Sequence, residues 1–348
     1  MKKLFLLIIL SIIPKVSAST IVMETDTNKI LYADNIHNVR SVASISKVMT
    51  AIIALENGNL DEEITIGDEI DGAYGSAIYI KKGEVLTLRD LLYGLMLRSG
   101  NDAALAISHN ISGSVTDFVK LMNEKAKELG MKNTTFNNPS GLDNDKGNYS
   151  TCYDMAILSS YAIKNSEYRK IVGTKKYKLK TNMNTYIWEN KNRLLKEYKY
   201  SVGGKTGYTI NAKRTLVTNA IKDDLSLTIV TLNEGDDFNK HKALYEEYFK
   251  EYKSVKILKK GNLDIVDENY YKNRKFYINS DFSYPIKDDS ILLKIELIKK
   301  TNIKDNDKVG VIKVLINNEE VYETDIFISI KKEKITLIEL LKKILNGK

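Results

Sequence analysis

One cysteine in 348 residues takes a disulfide framework out of consideration. Cys152 has no partner within the chain, so stability must come from a buried core. It stands in Tyr149-Ser150-Thr151-Cys152-Tyr153-Asp154-Met155, which predicts a helix start capped by Ser150 or Thr151. The thiol there is expected to be a small buried hydrophobe and not a reactive group. Histidine is nearly as scarce. His37, His109 and His241 lie far apart and form no His-x-x-x-His or comparable pair. That pattern argues against a metal, and any nucleophile in this chain needs a base other than imidazole. Repeats and low-complexity stretches are missing. So is a basic stripe in the body: the formal charge is +8, but residues 1–18 carry three Lys and no acid, and residues 331–348 carry six Lys against Glu333 and Glu339. The body between is close to neutral, which argues against a nucleic-acid partner.

The two ends carry what the body lacks. Lys2 and Lys3 precede an apolar run from Leu4 to Ile13 and a small-residue exit at Val16-Ser17-Ala18. Residues 1–18 therefore have the layout of a secretory signal peptide, with a core too short for the roughly 20 residues of a spanning helix and an uncleaved anchor as the alternative. Export across a membrane follows as an expectation. At the other end, a helix over Ile335–Leu345 would align Leu337, Ile338, Leu341, Ile344 and Leu345, with Glu339, Lys342 and Lys343 opposite. Residues 331–348 are thus expected to form a basic amphipathic helix suited to a membrane surface, with a helix docked on its own domain or a dimer contact as the alternatives.

Between these ends the composition, 43% hydrophobic and 28% charged, is that of a folded protein of about two domains. A hairpin is predicted from Thr20–Asp26 and Lys29–Tyr32. Val48, Ala51, Ile52 and Leu55 recur at helical spacing, so a helix begins at or next to Ser44 and stops at Asn57-Gly58. Leu88, Leu91, Leu92, Leu95 and Met96 predict a helix over Thr87–Arg98, broken at Ser99-Gly100-Asn101. Further helices are expected over 103–109 and 115–129, and a turn over 136–142, where Pro139 and Gly141 punctuate the chain. Thr215–Ala220 and Ser226–Leu232 read as strands, followed by a helix over Lys240–Tyr252. Strands at both ends of a helical middle predict an α/β (α+β) domain over 19–254: one antiparallel sheet of distant segments with a helical cluster against it. Residues 255–330, with strands over 275–279, 291–297, 310–316 and 324–330, predict a small all-β domain.

Three short motifs carry the chemistry. They are Ser44-Ile45-Ser46-Lys47 at a helix start, Ser99-Gly100-Asn101 at a helix break, and Lys205-Thr206-Gly207 on a strand. A lone Ser-x-x-Lys is more simply a capping serine and a solvated lysine; in this company and order it is not. Ser44 and Lys47 are three apart on a helix and share a face. A serine hydroxyl attacks only when something takes its proton, and Lys47 can do so if burial or a positive neighbour, with Lys205 as the candidate, keeps it neutral. Ser99 can pass a proton to the leaving amine, and Asn101 can hold Lys47 and substrate. The N–H groups at the helix start face a developing oxyanion. Gly203 and Gly204 allow a substrate backbone to approach the third motif, where Lys205 and Thr206 offer a charge and a hydroxyl to a free carboxylate. Such a site suits a substrate cut next to its C-terminus.

The motifs, together with Gly75–Gly83, Leu91–Ser99, Asn138–Asp143, Asn190–Leu195 and Lys205-Thr206-Gly207-Tyr208-Thr209, resemble the serine-type D-alanyl-D-alanine carboxypeptidases, the low-molecular-weight penicillin-binding proteins. The resemblance covers nearly the whole chain. It implies a β-lactamase/transpeptidase-like catalytic domain, with Ser44 as the acylated serine, Lys47 as base, Ser99 and Asn101 as the second element and Lys205 as carboxylate binder. It further implies an oxyanion hole from the backbone N–H groups of Ser44 and Tyr208. The implied substrates are peptidoglycan stem peptides, with β-lactams as inhibitors and no cofactor. Two departures stand out: Ser140 follows Pro139 where many members have His, and Lys213-Arg214 follows Ala212 where many have Gly. The stretch Ala212–Thr218 looks more like the sporulation-associated branch. A β-lactamase would need a water-activating Glu, and no Glu-x-x-Leu-Asn element lies between the second and third motifs. An endopeptidase with the same residues in a more open site, or a slow sensor of β-lactams or wall fragments, are the remaining alternatives.

Overall fold

The computed structural model describes residues 17–143, 146–264, 270–271 and 274–330. All but the last two residues of the expected leader, and the whole amphipathic segment 331–348, lie outside the described residues. The chain divides into two compact units, 1–251 and 252–348.

The first unit is built on a five-stranded sheet of β1 (Ser19–Glu24), β2 (Ile30–Asp34), β3 (Ser201–Thr209), β4 (Lys213–Lys222) and β5 (Leu225–Leu232), in the order β2-β1-β5-β4-β3. Every pairing is antiparallel, as expected from strands at the two ends of the domain. β5 is buried at every position because helices cover both faces. On one face lies α5 (Cys152–Lys164), where Ser159 bonds Asn219 and Ser160 bonds Thr228. The other face receives α7 (Asp237–Glu251), whose His241 bonds Thr218 and Thr231. Thr218 and Asn219 are sequence neighbours, and strand alternation sends them to opposite layers.

The helical cluster continues with α1 (Lys47–Asn57), α2 (Leu88–Tyr93), α3 (Asn101–Ser112), α4 (Val115–Glu128) and α6 (Ser166–Gly173). Its ends are capped by side chains, as at Thr87 for α2, Ser114 for α4 and Thr151 for α5. The helix expected as one piece over 87–98 is not continuous. After Tyr93 the chain widens into a π turn, Gly94–Arg98, and stops at Ser99 with φ 67°. Such insertions relocate the residues that follow them, here the second motif. Cys152 is fully buried and burial pushes its thiol well above the usual range, in keeping with a packing role.

The second unit is all β among its described residues. It comprises β6 (Lys253–Leu258), β7 (Gly261–Leu263), β8 (Lys275–Ile278), β9 (Phe282–Ile286), β10 (Ile291–Leu297), β11 (Lys308–Ile316) and β12 (Glu319–Ser329). β6 pairs with β9, and the larger sheet runs β7-β8-β12-β11-β10 around a core of Phe276, Ile278, Ile312, Val314, Ile326 and Ile328.

Candidate active site

Strained backbone introduces the first motif. Ala43 takes φ 50°, in the left-handed region, and opens a 3-10 turn over Ala43–Ser46 from which α1 continues. Against this turn lies Gly141 at φ +81°, where a Cβ would stand 2.0 Å from the Ala43 carbonyl oxygen. Only glycine fits there. Asn138 Oδ1 accepts from the N–H groups of Ser140 (3.1 Å) and Gly141 (2.6 Å), an Asx turn that sets the direction of the Ser140 carbonyl.

That carbonyl meets Lys47. Nζ of Lys47 lies 2.5 Å from Ser140 O, 2.7 Å from Asn101 Oδ1 and 3.2 Å from Ser44 Oγ. Asn101 Nδ2 donates to the Tyr74 carbonyl at 2.6 Å, so its oxygen is the atom turned to Lys47. Two of the three contacts are therefore pure acceptors, and in a neutral amine they claim both N–H groups. The lone pair is left for Ser44 Oγ.

Ser99 and Asn101 flank the start of α3. Ser99 Oγ accepts from Lys205 Nζ at 3.0 Å, and Lys205 also donates to the Thr206 carbonyl at 2.7 Å. Beside them, buried Asp102 accepts from the N–H groups of Ile78 (3.0 Å), Tyr79 (2.7 Å) and Ile80 (3.3 Å). This fixes the loop whose Ser76 carbonyl takes the Asn101 N–H at 2.7 Å. The third motif lies on β3, an edge strand, and β4 pairs Val217 with Lys205 and Thr215 with Gly207. A Cβ on Gly207 would stand 2.9 Å from the Ser44 backbone nitrogen, so β3 passes directly over the helix start.

Lys47 is fully buried. Burial, then the positive charge of Lys191, brings its pKa down to about 7, with Asp102 opposing. Lys205, also buried, is held well below the ordinary lysine value by burial, then by Lys47 and Lys191. Lys191 itself is lowered by burial and by Arg98. Beside burial, the neighbour that lowers Lys47 is thus Lys191, which lies in the Asn190–Leu195 segment of the resemblance but was given no role there.

Ser44, Ser99, Thr206, Gly207 and Tyr208 line a cleft of about 330 Å³. Lys47, Asn101 and Lys205 lie beneath it. Lys191, Arg214, Asp237 and Phe238 also line the cleft. The Arg214 guanidinium is 2.6 Å from the buried Asp237 carboxylate and 5.6 Å from the Phe238 ring centroid, with 44% of its side chain exposed. A second cavity of about 360 Å³ meets the site at Asn101 and Ser140 and is lined by Tyr74, Leu105, Pro139 and Leu142. The His241 ring bonds Thr218 and Thr231 in the sheet and lines neither cavity.

All eight residues expected from sequence are brought to this one site. Lys191, Arg214, Asp102 and the Ser140 carbonyl were not expected. For Asp102 and Arg214 the signal was adjacency, to Asn101 and across the strand from Tyr208. Lys191 and Ser140 lie in the segments Asn190–Leu195 and Asn138–Asp143 that carry the resemblance, but residue type alone assigns neither the charge nor the backbone carbonyl a role.

The D-alanyl-D-alanine carboxypeptidase family matches residues 13–236. D-alanyl-D-alanine carboxypeptidase DacF of Bacillus subtilis is 34% identical over 302 residues, covering 83% of this chain and 76% of that protein. The D-alanyl-D-alanine carboxypeptidase of Streptomyces sp. strain K15 is 38% identical over 218 residues, 58% of this chain and 75% of that one. Among solved structures, D-alanyl-D-alanine carboxypeptidase DacD of Francisella tularensis has a TM-score of 0.69 at 25% identity, covering 89% of this chain and 92% of that chain.

Proposed function

The chain belongs to the D-alanyl-D-alanine carboxypeptidase family and is a serine peptidase of the cell wall that acts on peptidoglycan stem peptides and binds β-lactams; we propose that Ser44 is its nucleophile and Lys47 its base. Lys47 takes the Ser44 proton as Oγ attacks the carbonyl of the penultimate D-alanine. The backbone N–H groups of Ser44 and Tyr208 receive the oxyanion; removing one such donor costs roughly 3 kcal/mol. The proton passes from Lys47 through Ser99 to the leaving amine, the C–N bond breaks, and D-alanine departs. Water then cleaves the Ser44 ester. The observation that carries this reading is the buried amine of Lys47, 3.2 Å from Ser44 Oγ and poised near neutrality.

Substrate polarity follows from the cleft. Its leaving-group side holds Thr206, Tyr208 and Arg214, while Lys205 Nζ is sealed behind Ser99 and the Thr206 carbonyl. The terminal carboxylate is therefore received by the Thr206 hydroxyl and the Arg214 guanidinium, a permanent cation that Asp237 orients through its Nε and Nη2 groups, and Lys205 acts from beneath through Ser99. β3 is a sheet edge, so the stem backbone can add to it as a further strand. The cavity at Asn101 and Ser140 takes the acyl side.

The domain roles extend this reading. Residues 1–18 direct export, 19–254 form the peptidase domain, 255–330 a β domain, and 331–348 attach to the membrane surface. Deleting 331–348 is expected to release the protein from the membrane fraction; unchanged fractionation removes that role.

Incubation with a pentapeptide stem ending in D-Ala-D-Ala is expected to release D-alanine, and Ser44→Ala to abolish release. Cleavage of crosslinked stems in preference to free ones would instead favour the endopeptidase reading. No release from either overturns both.

A further inference from the structure

The second unit ends its larger sheet on β10, an edge that carries one lysine and one glutamate among apolar side chains. β10 exposes Ile291 (42%), Leu292 (53%), Leu293 (43%), Ile295 (42%) and, just beyond it, Ile298 (58%), so its odd-numbered face is apolar and its even-numbered face sets Lys294 and Glu296 between Leu292 and Ile298. Among the described residues nothing pairs with its outer side. Edge strands are ordinarily blunted by proline, by a bulge or by inward-pointing charge. β10 has no proline, and its register with β11 runs unbroken from Ile291↔Ile316 to Leu297↔Gly310.

The free backbone groups of this edge can be assigned. The Ile298 N–H bonds the Val309 carbonyl at 2.8 Å and the Asn317 N–H bonds the Ser290 carbonyl at 3.0 Å. Even-numbered residues thus turn their N–H and C=O groups toward β11. By alternation, Ile291, Leu293, Ile295 and Leu297 turn theirs outward.

We propose that β10 is a self-pairing edge, through which two copies of this chain join antiparallel about a two-fold axis at Ile295. In that register Ile295 faces Ile295 of the second copy, and each donates to the other's carbonyl. Leu293 lies opposite Leu297, Leu292 opposite Ile298, and Lys294 opposite Glu296. The Lys294–Glu296 pair, 2.9 Å apart within one chain, becomes a square of four charges, each facing the opposite sign across the seam and flanked at either end by an apolar pair. Neighbouring registers lose this match. An axis at Lys294 sets lysine against lysine, one at Glu296 sets glutamate against glutamate, and an axis between residues would oppose an outward-turned residue to an inward-turned one. An isologous interface of this kind closes at two copies.

Cysteine crosslinking of the full chain tests both the partner and the register. Cys152 is fully buried and does not interfere. Under mild oxidant, Ile295→Cys is expected to give a disulfide-linked dimer, since Cα atoms of a hydrogen-bonded pair are about 5.5 Å apart. Leu293→Cys alone is expected to give little dimer, and Leu293→Cys with Leu297→Cys to restore it. In sedimentation, Lys294→Glu should weaken dimerisation at least tenfold, and Lys294→Glu with Glu296→Lys should recover it. D-alanine release should be unchanged in every variant, which reports that the peptidase unit is folded, and the β signal in far-UV circular dichroism should be unchanged, which reports on the second unit. Three results would overturn the proposal: a monomeric full chain, an Ile295→Cys variant that stays uncrosslinked because residues 331–348 or a lipid surface cover the edge, or crosslinking at 293 as readily as at 295.

Discussion

Lys47 Nζ reaches Ser44 Oγ at 3.2 Å while its other two contacts, Ser140 O and Asn101 Oδ1, can only accept. A charged lysine there would donate to all three. A neutral one must offer its lone pair to the serine, and this arrangement works as a base only on the neutral side of its titration.

The pH dependence follows with a definite sign. With a Lys47 pKa of about 7, the neutral fraction falls about tenfold per unit below that value, so acylation should rise with pH and level off above it. Lys191 helps to hold that pKa down. Lys191→Gln should therefore move the inflection to higher pH and Lys191→Glu further still, as read from β-lactam acylation rates between pH 5 and 9. An unmoved profile would remove Lys191 from the account.

Arg214 is, with Lys191, one of the two exposed cations that line the cleft. Arg214→Gln should lower kcat/KM for a stem with a free terminal carboxylate by about 10- to 100-fold, the range for a lost charge-assisted hydrogen bond. The same stem carrying a terminal amide should be cleaved nearly equally by both proteins. Equal losses on the two substrates would mean that Arg214 does not read the carboxylate.

Gly207 sets how closely β3 approaches Ser44. An added methyl would meet Thr215 Oγ at 2.4 Å and the Ser44 nitrogen at 2.9 Å, so the strand must shift away from the helix start. Gly207→Ala is expected to slow acylation about 100-fold, because small displacements of reacting groups are costly. Overpacking should cost only about 1–3 kcal/mol of stability.

His241 supplies a stability test independent of catalysis. Burial holds its pKa down to about 3, while the unfolded chain titrates near the ordinary 6.5. Between those values the unfolded state binds a proton that the folded state refuses, so stability falls as pH drops through this window, by up to about 1.4 kcal/mol per unit from this group. Urea midpoints at pH 7, 5 and 4 should show a shallower fall for His241→Gln than for the unaltered chain.

Much of the site was legible because it is written in side chains at fixed spacing. Ser44 and Lys47 share a helix face, and Ser99, Asn101 and Lys205 follow in order. The strands of the sheet declared themselves through β-rich runs such as Ser226–Leu232. What was not legible depends on three-dimensional placement. The Ser140 carbonyl reaches Lys47 because Asn138 turns the backbone, and Lys191 acts through its charge from a segment without periodicity. The π turn before Ser99 arises inside a run whose apolar spacing is ordinary helix. α6 (8 residues) and the hairpin Lys176–Lys180/Thr185–Glu189 (5 residues in each strand) went unread because segments this short show no firm hydrophobic period.

The central claim is that Ser44 forms the covalent intermediate. Incubating the protein with a penicillin, digesting with trypsin and sequencing the labelled peptide by mass spectrometry tests it directly. The adduct is expected on Ser44 within the Ser41–Lys47 fragment and should be absent from Ser44→Ala. An adduct on Ser41, Ser46 or Ser99, or undiminished labelling of Ser44→Ala, would contradict the account.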